Sequence, residues 1–200
     1  MMKRIALFVL IGFLGATPLV PVQTALAQTP GTEPPATRQS DRERLDRLFE
    51  RLKNAASPEA AKVVAHQIEQ RFERSGSDTA DLLLQRAKQA IESKNFDLAL
   101  DLLDFIMTLK PDWAEAYHRR AIVHFLLKDE DSALRDIRQS LAHEPRHFHA
   151  LAGLGQLLQT MGQRKQAYQV YRRTQEVYPQ FPDLDKVMER LKLEAEGQPI

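Results

Sequence analysis

Cysteine is absent from the 200 residues of the sequence. This absence excludes disulfides, thiolate metal ligands and cysteine nucleophiles together. An excess of one charge is also lacking, because 28 basic and 27 acidic residues leave a formal charge of +1. No net field therefore draws the chain to nucleic acid or to an anionic membrane. The G-x-S-x-G motif, the phosphate-binding loop and a strand followed by G-x-G-x-x-G are missing, so we expect neither an enzyme nor a cofactor.

The first 27 residues have the pattern of a secretory signal peptide. Two basic residues at 3–4 precede an apolar stretch at 5–16, and the sequence ALA at 25–27 matches the A-x-A cleavage pattern. We expect a cut between Ala27 and Gln28, secretion across the inner membrane and a periplasmic location. An uncleaved membrane anchor is the alternative, although the apolar stretch is short for a span of about 20 residues.

Three series of small residues or prolines recur at an interval of 34 positions. The series are Pro111, Pro145 and Pro179; Ala99, Ala133 and Ala167; and Ala87, Ala121 and Gly155. Their common spacing indicates one helical hairpin that is repeated three times. A single hairpin cannot bury both of its faces, so stacked copies are expected to share one continuous core.

The hydrophobic period predicts two helices in each repeat. The repeats are 78–111, 112–145 and 146–179, and the helix pairs are 79–93 with 96–109, 113–127 with 131–142, and 148–161 with 164–177. Asp112 and Glu115 have the spacing of a capping box at the start of the second pair. Within the last segment, 180–200, an amphipathic helix over 182–196 is expected to cap the array.

Residues 41–77 have the length of one more helical hairpin, with Ser40 as the candidate N-cap of its first helix. Lys53 occupies the position of a small residue, and Ser77 stands where the repeats have proline. Two interpretations stay open, a degenerate repeat and an N-terminal cap. Residues 28–40 are rich in Pro, Thr and Gly and are expected to form a disordered linker.

The repeats resemble the tetratricopeptide repeat family, whose 34-residue pattern is W-x2-L-G-x2-Y, then A-x3-F, then P. The third repeat carries the pattern most fully, in Leu151, Leu154, Gly155, Leu158, Ala167, Tyr171 and Pro179. The resemblance implies an all-α, right-handed superhelical solenoid of antiparallel helix pairs with a C-terminal capping helix. With the signal pattern, it implies an exported bacterial member that acts as a scaffold or adaptor for a protein or peptide partner of the cell envelope. Nucleic-acid binding and membrane insertion of the mature chain are not expected.

The resemblance also implies that the first helix of each repeat supplies a concave binding face. The expected partner-binding groove consists of Leu84, Lys88, Tyr117, His118, Ile122, Phe125, His149 and Gln156. For the apolar residues among these, packing against the next repeat is the alternative. One subtype of the family grips chaperone carboxylates, and its positions here hold Leu84, Lys88, Arg119, His149 and Gly153. Only Lys88 and Arg119 carry positive charge, so this mode is not expected.

Three histidines near Pro145 suggest an alternative function. His143, His147 and His149 could supply imidazole ligands to zinc or copper in a periplasmic metal-binding protein. No H-E-x-x-H motif accompanies them. We therefore expect structural or peptide contacts from these side chains and no resident metal.

Overall fold

The computed structural model describes residues 35–195, with side chains from 40 to 192, and this part contains nine α-helices and no strand. The helices are α1 (Pro35–Lys53), α2 (Pro58–Phe72), α3 (Asp78–Glu92), α4 (Phe96–Leu109), α5 (Ala114–Leu126), α6 (Glu130–His143), α7 (Phe148–Thr160), α8 (Arg164–Val177) and α9 (Leu184–Ala195). They confirm the predicted all-α fold. The predicted signal peptide 1–27, the linker residues 28–34 and the tail 196–200 lie outside the described residues. None of the described helices is both long and apolar enough to cross a membrane.

Helices α3 to α8 form three antiparallel pairs that stack in sequence order. Each second helix packs on the first helix of its own pair, and α4 and α6 also pack on the first helix of the next pair. The repeated alanines of the second helices, Ala99, Ala133 and Ala167, are fully buried, so paired helices approach closely. The stack is the predicted helical solenoid, and the bounds of its six helices agree with the predicted bounds within one residue.

A small residue on each first helix meets a large residue on the second. Ala87 and Leu103 lie together in the buried cluster of the first pair. In the third pair a Cβ atom on Gly155 would lie 2.5 Å from Cε1 of Tyr171. Glycine is therefore required at this position because the tyrosine ring fills the space that alanine occupies in the other pairs.

The start of α5 differs from the prediction. The N-cap residue is Trp113 rather than Asp112, and its side chain makes no capping hydrogen bond. Glu115 turns inward, where it binds Arg119 and His147. The predicted capping box does not form, because these two partners hold the carboxylate away from the helix end.

The N-terminal hairpin, α1 and α2, also differs from the prediction. Helix α1 begins at Pro35, before the predicted N-cap Ser40, so residues 35–40 of the predicted linker are helical. Proline is tolerated there because the first turn of a helix needs no backbone donor. Helix α2 does not stack on α3 as α4 stacks on α5, so the hairpin does not extend the array.

The hairpin packs instead across the array, near the start of α7 and the end of α8. Its buried apolar residues share one cluster with two aromatic residues of the array. These residues are Phe49, Leu52, Ala61, Val64, Ala65, Ile68 and Phe72 of the hairpin, with Phe148 and Tyr178. The amide of Gln180 adds a hydrogen bond of 2.8 Å to the Ala55 carbonyl.

Helix α9 packs on α8 at the other end of the array. Leu184, Met188 and Leu191 are buried there in a cluster with Tyr171. This apolar stripe covers the last repeat, as expected for a helix that ends a repeat array.

Candidate functional site

An open groove of about 490 Å³ lies between α5, α7 and the segment that joins α8 to α9. Its wall consists of His118, Arg119, Ile122, His149, Ala152, Gly153, Gln156, Tyr171, Phe181, Pro182, Asp183, Leu184 and Val187. The wall combines apolar side chains with a guanidinium group, an imidazole and an amide. A concave surface of this mixed kind can hold a peptide by its side chains and its backbone polar groups.

Small residues on α7 keep the middle of the groove open. Ala152 and Gly153 follow each other on the exposed side of this helix. A Cβ atom on Gly153 would meet only Cδ1 of Ile137, at 3.8 Å, which is ordinary van der Waals contact. The absence of a side chain at this position therefore leaves free space and does not relieve a clash.

Four of the eight residues predicted for the binding groove lie together in it: His118, Ile122, His149 and Gln156. They come from α5 and α7, the first helices of the second and third pairs. Gln156 is exposed, whereas the side chain of His118 is buried in the wall. Their contact with a partner stays a prediction.

Two of the apolar groove predictions require correction. Leu84 is 1% exposed and belongs to the core of the first pair, so it cannot touch a partner in this conformation. Phe125 is partly buried and packs on the cluster that contains Leu157 of the third pair. For Leu84 the alternative, packing within the array, is therefore correct, whereas Phe125 keeps part of its surface and lies outside the groove.

The remaining two predicted residues lie outside the groove. The Tyr117 ring stacks on His143 at 5.4 Å between centroids, and its hydroxyl donates to the Pro111 carbonyl. Lys88 is half-buried beside the end of the N-terminal hairpin, where its ammonium group donates to Glu73 at 2.5 Å. The sequence pattern placed these two side chains correctly on helices but not on the open wall.

A buried carboxylate and a buried histidine lie behind the groove. Glu115 is 2% exposed, accepts from Arg119 Nε at 2.5 Å and contacts Nε2 of His147 at 2.8 Å. The amide of Ala150 donates to Nδ1 of His147, so the ring proton is on Nε2 and is donated to Glu115. Burial alone would raise the pKa of Glu115, but the hydrogen bond from His147 and the charge of Arg119 hold it below its ordinary value.

His118 is the unusual member of this region. Its ring centroid lies 4.6 Å from that of His147 and 6.3 Å from that of His149. Nδ1 of His118 is buried without a hydrogen-bond partner among the described residues. Burial holds the pKa of His118 well below its ordinary value, so the ring is neutral at physiological pH.

Carboxylates of the N-terminal hairpin contact basic side chains of the array. Glu73 accepts from Lys88 and also from Arg119 Nη2, at 3.1 Å. Glu69 contacts Nε2 of His149 at 2.9 Å, and the hydrogen bond lowers the pKa of Glu69. Sequence reasoning missed these pairs because their members are 15 to 80 positions apart.

An aromatic residue anchors the hairpin to the same region. The Phe72 ring stacks on His147 with 4.4 Å between centroids. The backbone carbonyl of Phe72 accepts from Nε1 of Trp113 at 2.7 Å. The end of α2 is thus fixed against the residues that position Glu115, and the hairpin forms one side of the region beside the groove.

The alternative metal site is not formed in the described part of the chain. His143 stacks on Tyr117, both ring nitrogens of His147 are engaged, and His149 contacts Glu69. Between residues 35 and 195 no group of three or more histidine or carboxylate side chains is arranged to hold a metal ion. Pro145 separates His143, which ends α6, from His147 and His149, which lie at the start of α7.

A second concavity, of about 550 Å³, lies on the hairpin and was not predicted. It is lined by Arg44, Arg47, Leu48, Arg51, Gln67, Gln70, Arg71 and Arg74. Asp41 forms ion pairs with Arg44 and Arg71, at 3.4 and 3.3 Å. Arg44, Arg47 and Arg51 of α1 are three and four positions apart, and this spacing is the sequence signal that places them on one face of the helix.

No family model matches the chain. In sequence it is 39% identical over 140 residues to a TPR repeat-containing protein of Rhizobium etli, which covers 70% of this chain and 69% of that protein. Its fold is similar to the first TPR domain of Spaghetti (RPAP3) bound to an HSP90 peptide, with a TM-score of 0.56 and 19% identity. The similarity covers 59% of this chain and 96% of that domain. It is also similar to MamA, with a TM-score of 0.55 and 17% identity, over 83% of this chain and 86% of MamA. These two structural similarities concern the fold alone.

Proposed function

The chain belongs to the tetratricopeptide repeat family, whose domains are protein–protein interaction modules, and on this premise we propose that it is a non-enzymatic adaptor that captures a peptide segment of a partner protein. The binding site is the groove between α5, α7 and α9. The observation that supports this site most directly is the convergence of Ile122, His149 and Gln156 on one open wall with the apolar side chains of α9.

The wall favours a peptide with apolar side chains over a purely acidic tail. Ile122, Phe181 and Val187 offer apolar contact area, and Gln156 can bind backbone polar groups. The related RPAP3 domain is bound to an HSP90 peptide. In this chain Lys88 and Arg119, the two cations at the positions that the family's carboxylate-gripping subtype uses, are already paired with Glu73. A carboxylate tail would have to displace Glu73 to reach them.

The proposed location is the bacterial cell envelope. It rests on the signal pattern of residues 1–27 and on the expected cut after Ala27. Mass spectrometry of the protein from an envelope extract of its native host would measure its N-terminus. We expect a mature chain that begins at Gln28. A chain that retains Met1 and stays in the cytoplasmic fraction would contradict this location.

Site-specific photo-crosslinking tests the groove in cells. A photoreactive phenylalanine analogue replaces Gln156 in the groove or, as the matched control, Gln139, which is exposed on α6. We expect a discrete crosslinked adduct only from position 156. The crosslinked peptide is then identified by mass spectrometry. Equal adducts from both positions would contradict capture in this groove.

Binding of the identified peptide is then measured with a fluorescent synthetic copy. Ile122→Ala should weaken its affinity at least about tenfold, since truncation of a buried apolar contact at the centre of an interface has effects of this size. Gln139→Ala should leave the affinity unchanged. An unchanged affinity in the Ile122 variant would show that the peptide binds elsewhere.

A further inference from the structure

Helix α4 carries large apolar side chains where the other pairs are polar. Leu98 is 45% exposed and Phe105 is 53% exposed. In the second and third pairs, the position of Leu98 is occupied by Ser132 and Gln166. The position of Phe105 is occupied by Gln139 and Arg173. The second helices of the other pairs thus have polar side chains at these two positions. The apolar residues are specific to the first pair and are not a requirement of the repeat.

These side chains point away from the rest of the array. Leu100 and Met107 of α4 pack towards Trp113 in the core shared with the next pair. Leu98 and Phe105 each lie two positions from one of them, which is about 200° around the helix. The exposed stripe therefore lies on the outer side of α4, opposite the next pair, where the counterparts Gln139, Gln166 and Arg173 are exposed as well. Leu109, which is 41% exposed, extends the stripe four residues beyond Phe105. Leu102, between Leu98 and Phe105, is half-buried against the core of the first pair.

Helix α3 adds the open end of the stack beside this stripe, and the two together form the end surface. Leu82 is 51% exposed, whereas the corresponding Ala116 and Ala150 are fully buried. Ala116 belongs to the cluster of the preceding pair, which shows that this position faces the previous repeat. In the first pair the place of the previous repeat is open, since α2 does not stack on α3. At the C-terminal end, by contrast, α9 covers the last pair.

We propose that this end surface, formed by the open side of α3 and the exposed stripe of α4, pairs with the same surface of a second copy of the chain. The proposal does not depend on the peptide groove, which lies on α5, α7 and α9. Monomeric proteins seldom expose a contiguous apolar surface of this kind without a binding role. Two copies joined by a twofold axis would give a homodimer whose peptide grooves remain free.

The charges on the end surface support pairing between identical copies. Arg86 is exposed in the middle of α3, and Asp101 is exposed in the middle of α4. A twofold axis parallel to the helices sets α3 of one copy antiparallel on α4 of the other. Arg86 then lies beside Asp101 of the second copy, and Leu82 lies near Phe105 of the second copy. The surface is thus complementary to itself in charge and in apolar content.

Analytical ultracentrifugation of the full chain over a range of micromolar concentrations tests the proposal. We expect a concentration-dependent dimer. The double variant Leu98→Ser/Phe105→Gln, which takes residues from the other repeats, should raise the dissociation constant at least about tenfold and keep wild-type helicity. Val63→Gln, at a residue of α2 that is 59% exposed, should remain as dimeric as the wild type. A wild-type monomer, or a dimer that survives the double variant, would overturn the proposal.

A charge exchange tests the arrangement of the two copies. Arg86→Asp and Asp101→Arg should each raise the dissociation constant, because each places like charges side by side. The two substitutions together restore opposite charges and should return the constant towards the wild-type value. Losses that add in the combined variant would overturn the antiparallel pairing of α3 with α4. Circular dichroism of each variant establishes that the fold is retained.

Discussion

Substitution of Gly155 by alanine tests the packing between α7 and α8. A Cβ atom at this position would lie 2.5 to 2.8 Å from three carbons of the Tyr171 ring. The ring cannot easily move, because it is buried and its hydroxyl donates to Gln159 at 2.8 Å. The added methyl group must therefore push the two helices apart or force the ring out of its position.

The expected magnitude follows from two opposing effects. Alanine is favoured over glycine by up to about 1 kcal/mol within a helix. Overpacking of a tight core costs roughly 1–3 kcal/mol. The contact distances lie far below van der Waals separation, so the second effect should dominate, and Gly155→Ala should lower the free energy of unfolding by about 1–2 kcal/mol.

The matched control is Gly153→Ala on the same helix. Its Cβ atom would lie 3.8 Å from Ile137, so only the helix preference remains and the variant should gain about 0.5–1 kcal/mol. Urea denaturation followed by circular dichroism measures both variants. If Gly155→Ala is as stable as Gly153→Ala, steric conflict with Tyr171 does not control this position.

A double-mutant cycle isolates the contact itself. Tyr171→Ile in the Gly155→Ala background reproduces the small-and-aliphatic combination of the second pair, Ala121 with Ile137. Because the smaller side chain removes the clash, the double variant should be more stable than the sum of the single effects by about 1 kcal/mol. Additive effects would contradict the pairing of Gly155 with Tyr171.

Three further substitutions test the core and the buried network. Ala133→Arg should unfold the second pair, at a cost of more than about 4 kcal/mol, because Ala133 is fully buried. The control Ala142→Arg, on the exposed side of α6, should retain native helicity by circular dichroism. Trp113→Phe leaves the buried Phe72 carbonyl without its donor and should lower the urea midpoint by an amount that corresponds to about 1–3 kcal/mol; an unchanged midpoint would contradict the anchoring role. The pKa of His118 is lowered in the folded protein, so the unfolded chain binds a proton there first as the pH falls below about 6.5. The free energy of unfolding should therefore decrease towards pH 5, and His118 should contribute up to about 1.4 kcal/mol per pH unit to this decrease. His118→Gln should flatten that slope, and the exposed control His143→Gln should not; equal slopes in all three proteins would contradict the burial of a neutral imidazole.

Local regularity made the repeat array predictable. The interval between Ala99, Ala133 and Ala167 fixed the close approach of paired helices, and the structure buries all three residues completely. Helices α4 and α8 have the bounds that the hydrophobic period predicted. These features could be read from the sequence because each of them depends on side chains that are close in the chain and repeat with a constant period.

The groove was only partly predictable. His118, Ile122, His149 and Gln156 were identified because they have fixed positions on first helices. Leu84 has an equivalent position but is buried in the core. The pattern gives the direction of a side chain around its helix, whereas exposure depends on what packs over that helix. The side chains that α9 contributes could not be assigned to the groove without knowing how the capping helix packs on α8.

The sequence alone determined the all-helical repeat stack, because a 34-residue period and the helical hydrophobic pattern are properties of the chain itself. Only the tertiary structure decided where the N-terminal hairpin lies, which end of the array is open and which carboxylate neutralises Lys88. Glu73 and Glu69 lie far along the chain from Arg119 and His149, and no local pattern records such contacts. They arise when the apolar face of the hairpin finds the most favourable surface on the folded array, a choice made by packing and charge in three dimensions.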